Sequence, residues 1–371
     1  MVDSGKEVSG PKGYGYGING ESPNVETNSD SHFGGGVRCV DKLQGRGDGN
    51  IEAHVDMETG VEALEGIVEE AGMEGALNPD FKRRVFEMAV NHRSSIIVIT
   101  ETRVGGSRAE KIIKALPFDG FITTETIGYA GGLWILWRRE DAEVNLLSAT
   151  EQEIHATVKV CASNLSWLFT AIYASPRLVE RRILWSNIDK VGQLHNLPWL
   201  MIGDFNEILG GEDKFGGNQI NLNRALEFKE CLDSCNFVDH GFAGPKFTWT
   251  NKRQISDLIL ERLDRCFANP IWRILYPEAV VTHLPRTFSD HHPVLIELWK
   301  PNANGLEQPF RFQTMWKAKK WNFEVFGNIF AKKKRVLARL NGTQKALANN
   351  PTESLMRLED QLIEEYSSIL L

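Results

Sequence analysis

"PWLMIGDFNE", residues 198–207, is the stretch on which the fold turns. Trp199, Leu200, Met201 and Ile202 form a short apolar run, the length of a strand buried on both faces. Gly203 stops it, and Asp204, Phe205, Asn206 and Glu207 follow at once. A carboxylate at the mouth of a buried strand is costly unless it is paired or ligated. Taken alone, Gly, Asp and Asn in this order describe a turn. Whether Asp204 and Asn206 do more depends on what the rest of the chain delivers to the same place.

Outward from this strand, the chain alternates strands and helices. Upstream, Pro79 suits a first helical position, and Phe81, Val85, Met88 and Ala89 share one helical face. "SIIVITE" (95–101) and "GGLWILW" (131–137) read as buried strands. "EIHATVKV" (153–160) alternates, which predicts a half-buried strand, and "WLFTAIYASP" (167–176) is a strand stopped by Pro176. Leu184, Ile188 and Val191 mark a helix face, and a second helix is expected over 222–236. "KFTWTN", "LILERLDRCF" and "VVTHLP" are further strand candidates, and "HPVLIEL" (292–298) closes the series. The pattern predicts an α/β (α+β) body: a β-sandwich of two sheets, flanked by helices.

The ends differ from this body. Residues 1–72 are Gly-rich and acidic. They read as a disordered or low-complexity region, with an acidic helix expected near 51–72. Residues 1–70 carry 5 Lys/Arg against 14 Asp/Glu, whereas 301–340 carry 9 against 2. "PNANGLEQP" reads as a linker, and 311–371 as helical; the basic "AKKKR" (331–335) suits a solvated helix face. The net charge is −7, so no strongly basic core announces nucleic acid. An acidic centre is nonetheless compatible with bound cations, which offset its charge. The longest apolar runs are too short to span a bilayer, and no signal peptide is visible, so no membrane partner is expected. Five cysteines (Cys39, Cys161, Cys231, Cys235 and Cys266) form no CxxC pair and read as buried, reduced thiols.

The polar residues fall at strand ends. Glu101 ends "IIVIT", Tyr173 nearly ends "LFTAIY", and Asp204 and Asn206 follow "WLMI". Asp264 lies in "ERLDRCF", and Asp290 and His291 precede the last strand. Should those ends converge, the site would hold carboxylates, an amide, a phenol and an imidazole. That set suits phosphate-ester hydrolysis. Hard oxygen ligands bind Mg²⁺, a carboxylate orients the attacking water, and a charged imidazole balances the developing anion.

Here the chain resembles a known family. "MIGDFNE", "ERLDR" and "FSDHHPV", in this order after the Glu of "ITET", resemble the endonuclease/exonuclease/phosphatase (DNase I-like) family over about residues 75–300. "VITETRV", "GGLWILW", "AIYASP", "GPKFTWTN" and "ERLDRCFAN" are similar to the endonuclease domain of plant LINE-type non-LTR retrotransposons. "FRFQTMW" and "WNFEVFGNI" resemble the connector before a reverse transcriptase, which implies domains at 1–72, 73–300 and 301–371.

The resemblance implies a Mg²⁺-dependent (or Mn²⁺-dependent) phosphodiesterase with DNA as partner; a monomer is the default, and an intracellular location is expected, the nucleus before the cytoplasm if the protein acts on DNA. Glu101 and Asp290 would belong to the metal region, and Asp204 would activate water. Asn206 would contact the phosphate, Tyr173 would lie near it, and Asp264 would orient His291. One departure concerns the family's opening Trp-Asn-x-x-Gly. Aligned on Gly75, "AGMEG" (71–75) puts Gly72 at the Asn, and "VEALEGIVEE" reads as helix, so the first strand is expected to be missing. Two other readings follow: a decayed retrotransposon fragment without activity, or a phosphatase on a small phosphoester.

Overall fold

A computed structural model describes residues 65–71, 75–126, 131–298 and 329–370. In chain order the elements begin with β1 (Glu65–Glu70), α1 (Phe81–Asn91), β2 (Ile96–Thr100), α2 (Gly106–Ile113) and β3 (Gly120–Thr123). Next come β4 (Trp134–Trp137), β5 (Ala142–Ala149), β6 (Glu153–Val160), β7 (Ser166–Tyr173), α3 (Leu178–Leu194) and β8 (Trp199–Asp204). They continue with β9 (Lys214–Phe215), α4 (Leu222–Ser234), β10 (Val238–Asp239), β11 (Trp249–Thr250), β12 (Leu260–Glu261) and β13 (Asp264–Ala268). The series closes with α5 (Pro270–Leu275), β14 (Val280–His283), β15 (Val294–Glu297), α6 (Ile329–Asn349) and α7 (Glu353–Leu370).

Two six-stranded sheets, in orders β14-β15-β1-β2-β4-β3 and β10-β13-β8-β7-β6-β5, pack face to face. A small third sheet joins β11, β12 and β9. The apolar runs are buried on both faces, and their parity sorts the side chains. Val68, Val98, Leu200, Ile202 and Phe169 fill the layer between the sheets. Ile67, Ile97 and Ile99 face outward onto Phe81 and Val85 of α1. Met201 and Leu168 face Leu184 of α3 and Phe228 and Leu232 of α4. This is the two-sheet sandwich flanked by helices that the pattern predicts.

The first strand, expected to be missing, is present. Residues 65–70, read as helix and placed outside the domain, form β1 inside the first sheet, parallel to β2 and antiparallel to β15. Its helix-like spacing was local, whereas the strand is imposed by two distant neighbours that complete its hydrogen bonds. No unpaired edge is left there, and the domain begins earlier than residue 73. Gly72, and residues 51–64 of the expected acidic helix, lie outside the described residues.

Other differences are smaller. "LILERLDRCF" divides into β12 and β13, which lie in different sheets. β3 and β5 carry little alternation that would announce them: β5 is exposed from Asn145 to Ala149. Cys231 and Cys266 are buried and Cys235 is half-buried, but Cys161 is exposed. No described helix is long and apolar enough to cross a membrane.

Candidate active site

The same parity that packs the core carries polar side chains to one end of the sandwich. Ile202 points between the sheets, so Asp204, two residues on, points the same way; Val68 places Glu70 likewise. The β7–β8 register sets Tyr173 beside Asp204, and the β8–β13 register sets Asp264 on its other side. Residues opposite one another on neighbouring strands share a face. β1 and β2 run parallel and end together at Glu70 and Thr100, just before Glu101. Gly203 makes the close β7–β8 pairing possible. Its φ is +146°, and an added Cβ would stand 2.0 Å from the Ile172 carbonyl oxygen.

Contacts across this end tie the two sheets. The Tyr173 hydroxyl donates to Glu101 Oε1 at 2.6 Å, and Arg103 pairs with Glu101 Oε2 at 2.9 Å. Glu101 has φ +52°, a left-handed conformation that costs about 1 kcal/mol in a non-glycine residue. The turn aims its carboxylate at Tyr173. Asn206, also left-handed at φ +46°, braces Asp204 twice. Its backbone N–H donates to Oδ1 at 2.8 Å and its amide to Oδ2 at 3.0 Å, while the amide also donates to the Ala174 carbonyl at 2.7 Å.

His291 Nδ1 lies 2.8 Å from Asp264 Oδ2. Asp264 is held in turn by Thr248, whose hydroxyl oxygen accepts its backbone N–H at 2.9 Å. The flanking Arg262 and Arg265 do not use Asp264: both bind Asp239, and Arg265 also pairs with Asp213. A plain ion pair between Asp264 and its neighbours is therefore not what forms. Asp290 Oδ2 accepts the Trp249 indole N–H at 3.0 Å, which half-buries Trp249 at the rim. His292 points away, its Nδ1 2.8 Å from the Leu284 carbonyl.

Two residues join the site unannounced by the sequence pattern. Glu70, at the end of β1, accepts a hydrogen bond from Ser289 Oγ, and Ser289 Oγ in turn accepts the His291 N–H at 2.9 Å. The signal was the acidic end of "GIVEE", hidden by reading that stretch as helix. Arg181, on α3, is buried. It donates to the Ser175 carbonyl at 2.7 Å and to Glu207 at 2.8 Å, clamping the loops that follow β7 and β8. Arg182 does face solvent, paired with Glu227.

The electrostatics follow from crowding. Burial raises the Asp204 carboxyl to about 7, and the charge of Asp264 adds to this. Burial likewise raises Glu70 to about 8. The nearby carboxylates of Asp290 and Glu101 push the same way, against the pull of His291. Burial opposes the charged imidazole of His291, but the Asp264 carboxylate outweighs it and holds the ring well above its usual range. Burial, then Glu101, holds the Tyr173 phenol protonated.

Among the described residues, no three Asp, Glu, His or Cys side chains are spaced to cage an ion by themselves. Mg²⁺ does not require such a cage, because it takes one or two carboxylates and keeps several waters. Glu70 and Glu101, two hard oxygen donors that repel one another at a shared rim, fit that demand.

Residues 64–291 match the Endonuclease/Exonuclease/phosphatase family. No curated protein matches the chain. Among solved structures it is similar to the endonuclease domain of TRAS1, a telomere-specific non-LTR retrotransposon. That identity is 13%, the TM-score 0.48, and the alignment covers 63% of this chain and 97% of that one. The AP endonuclease LMAP from Leishmania major is 12% identical with a TM-score of 0.48, covering 64% and 88%. The 3' phosphatase NExo from Neisseria, bound to a product DNA hairpin, is 18% identical with a TM-score of 0.45, covering 63% and 99%. With more than half its length inside the family match, the chain belongs to the endonuclease/exonuclease/phosphatase family.

Proposed function

We propose that the protein is a divalent-metal-dependent phosphodiesterase that cuts DNA, an endonuclease domain of LINE-type retrotransposon origin. The observation that supports this best is the meeting of Asp204, held by Asn206, with the His291–Asp264 pair at one end of the sandwich. The reading as an inert fragment leaned on a missing first strand and on Gly72 at the position of the metal-site Asn; β1 removes the first of these grounds.

The residues divide the work. Asp204, raised to about 7, is matched to accept a proton from the attacking water near neutral pH. Asn206 fixes both Asp204 oxygens, so the carboxylate does not reorganise as the proton arrives. The water oxygen bonds to phosphorus, the bond from phosphorus to the leaving oxygen breaks, and that oxygen is protonated from solvent. His291, kept cationic by Asp264, balances charge on the phosphoryl oxygens. Glu70 and Glu101, with Asp290 nearby, would hold Mg²⁺ or Mn²⁺. When bound, such an ion polarises the phosphoryl oxygen and steadies the leaving oxyanion. Tyr173 orients Glu101 for that role.

Plasmid nicking by the purified chain, with and without Mg²⁺, tests the proposal. A metal-dependent nick that Asp204→Ala and His291→Ala each abolish is the expected result. A nick that survives in Asp204→Ala, or none in the wild type, overturns it.

A further inference from the structure

Beside the catalytic rim, the β11–β12 ribbon faces helices α6 and α7 across a cleft of about 320 Å³. Phe247, Trp249 and Leu258 form one wall, and Leu347, Ala348 and Met356 the other. The helical wall lies outside the stretch that matches the family.

That wall is fastened to the catalytic loop. Gln344 of α6 clasps the backbone of Arg286. Its amide oxygen accepts the Arg286 N–H at 3.1 Å, and its amide nitrogen donates to the Arg286 carbonyl at 2.8 Å. The Arg286 guanidinium donates to Glu359 of α7 at 2.6 Å. All three residues are buried, and they form a polar network that lines the cleft. Three residues further on stands Ser289, which lines the cleft and also bonds Glu70 and the His291 N–H. Trp249 lines it too, fixed by its bond to Asp290. The cleft thus borders the site, with Ser289 and Trp249 between them.

Its lining selects the ligand. The lining joins apolar faces of Phe247, Leu258, Leu347 and Met356 to the hydrogen-bonding groups of Gln344, Glu359 and His292, with the Trp249 ring fixed at the rim. Asp360 borders the helical side, where it repels an anion and accepts hydrogen bonds. Lys252 is exposed at the edge, on the side of Asp290. Lys252 draws a phosphate to that edge. A neutral planar ring with N–H donors is suited to the interior. Stacking of a base on an aromatic side chain is sequence-tolerant, since every base offers a π-face.

We propose that this cleft receives one unpaired nucleobase of a DNA strand whose phosphodiester lies at the Asp204–His291 site. The proposal rests on the nuclease reading and adds the helical hairpin to the substrate-binding surface.

The test measures fluorescence anisotropy of labelled duplex DNA carrying one central unpaired base, against the fully paired duplex. The full chain carries Asp204→Asn so that the probe stays intact. The bulged duplex is expected to bind about tenfold more tightly. Met356→Trp, which fills the cleft from α7, and Ala348→Trp, which fills it from α6, are each expected to remove that preference while melting cooperatively. Equal binding of the two duplexes, or a preference that survives both substitutions, overturns the proposal. If plasmid nicking fails but the Met356-dependent preference is present, the nuclease reading falls and the cleft stands. If nicking succeeds and the preference is absent, the reverse holds.

Discussion

The Tyr173 hydroxyl donates to Glu101 Oε1 across 2.6 Å, and with that bond the end of β7 in one sheet is joined to the residue that follows β2 in the other. Burial and the Glu101 charge keep the phenol protonated, so the donor is always available to the carboxylate. The bond also restrains Glu101 in a left-handed conformation that the residue would not choose alone.

Tyr173→Phe is therefore expected to slow DNA cleavage by about 10- to 100-fold, the equivalent of one lost hydrogen bond to a charged group. Single-turnover nicking at saturating Mg²⁺ reads this. A variant as fast as wild type would mean that Glu101 needs no partner.

Glu70→Gln removes one of the two carboxylates proposed to hold the ion while keeping its shape and the Ser289 contact. The Mg²⁺ concentration for half-maximal nicking is expected to rise by about tenfold, with less change in the rate at saturation. An unchanged metal requirement would remove Glu70 from the metal region.

Arg181→Met tests the clamp between the loops after β7 and β8. The guanidinium side chain is 1% exposed, and its loss leaves Glu207, 5% exposed, with Arg224 alone. Breaking a buried pair from one side costs about 3–5 kcal/mol. Urea denaturation should show a loss of that size, and the surviving folded protein should nick more slowly, because Ser175 and Glu207 are no longer tied together. A loss below about 1 kcal/mol would count against the clamp.

His155 gives a pH dependence away from the site. Burial holds its pKa at about 4, well below the usual 6.5, with its Nδ1 2.8 Å from the Thr170 hydroxyl oxygen. The unfolded chain binds this proton more readily, so the stability that the neutral ring contributes is complete above about pH 6.5. It is lost as pH falls toward 4. The difference in unfolding free energy between wild type and His155→Gln should shrink by about 3 kcal/mol between pH 7 and pH 4. Urea titrations at several pH values measure it. A difference independent of pH would show that the ring titrates normally.

Much of this was legible in the chain because strands carry period-two information. The runs around Ile97, Phe169 and Ile202 announce strands buried on both faces, and their polar ends name Glu101, Tyr173 and Asp204. Asp264 and His291 stand in short motifs whose residue types already suit the chemistry. The ion pairs of Arg262 and Arg265 were not legible, because their partners Asp239 and Asp213 come from other elements. The burial of Arg181 was not legible for the same reason: a helix face does not reveal that a buried Glu207 lies opposite it.

By itself, then, the sequence determined the strand runs, the helices that flank them and the identity of most polar groups at the strand ends. These are set by local periodicity and by the cost of burying a charge without a partner. Only the tertiary structure decided that "EGIVEE" is a strand, since its conformation is fixed by hydrogen bonds to β2 and β15, the latter more than two hundred residues away. The same pairing brings Glu70 to Ser289, and the packing of α6 brings Gln344 to the Arg286 segment. Such contacts depend on which strands lie side by side, and no local pattern encodes that adjacency.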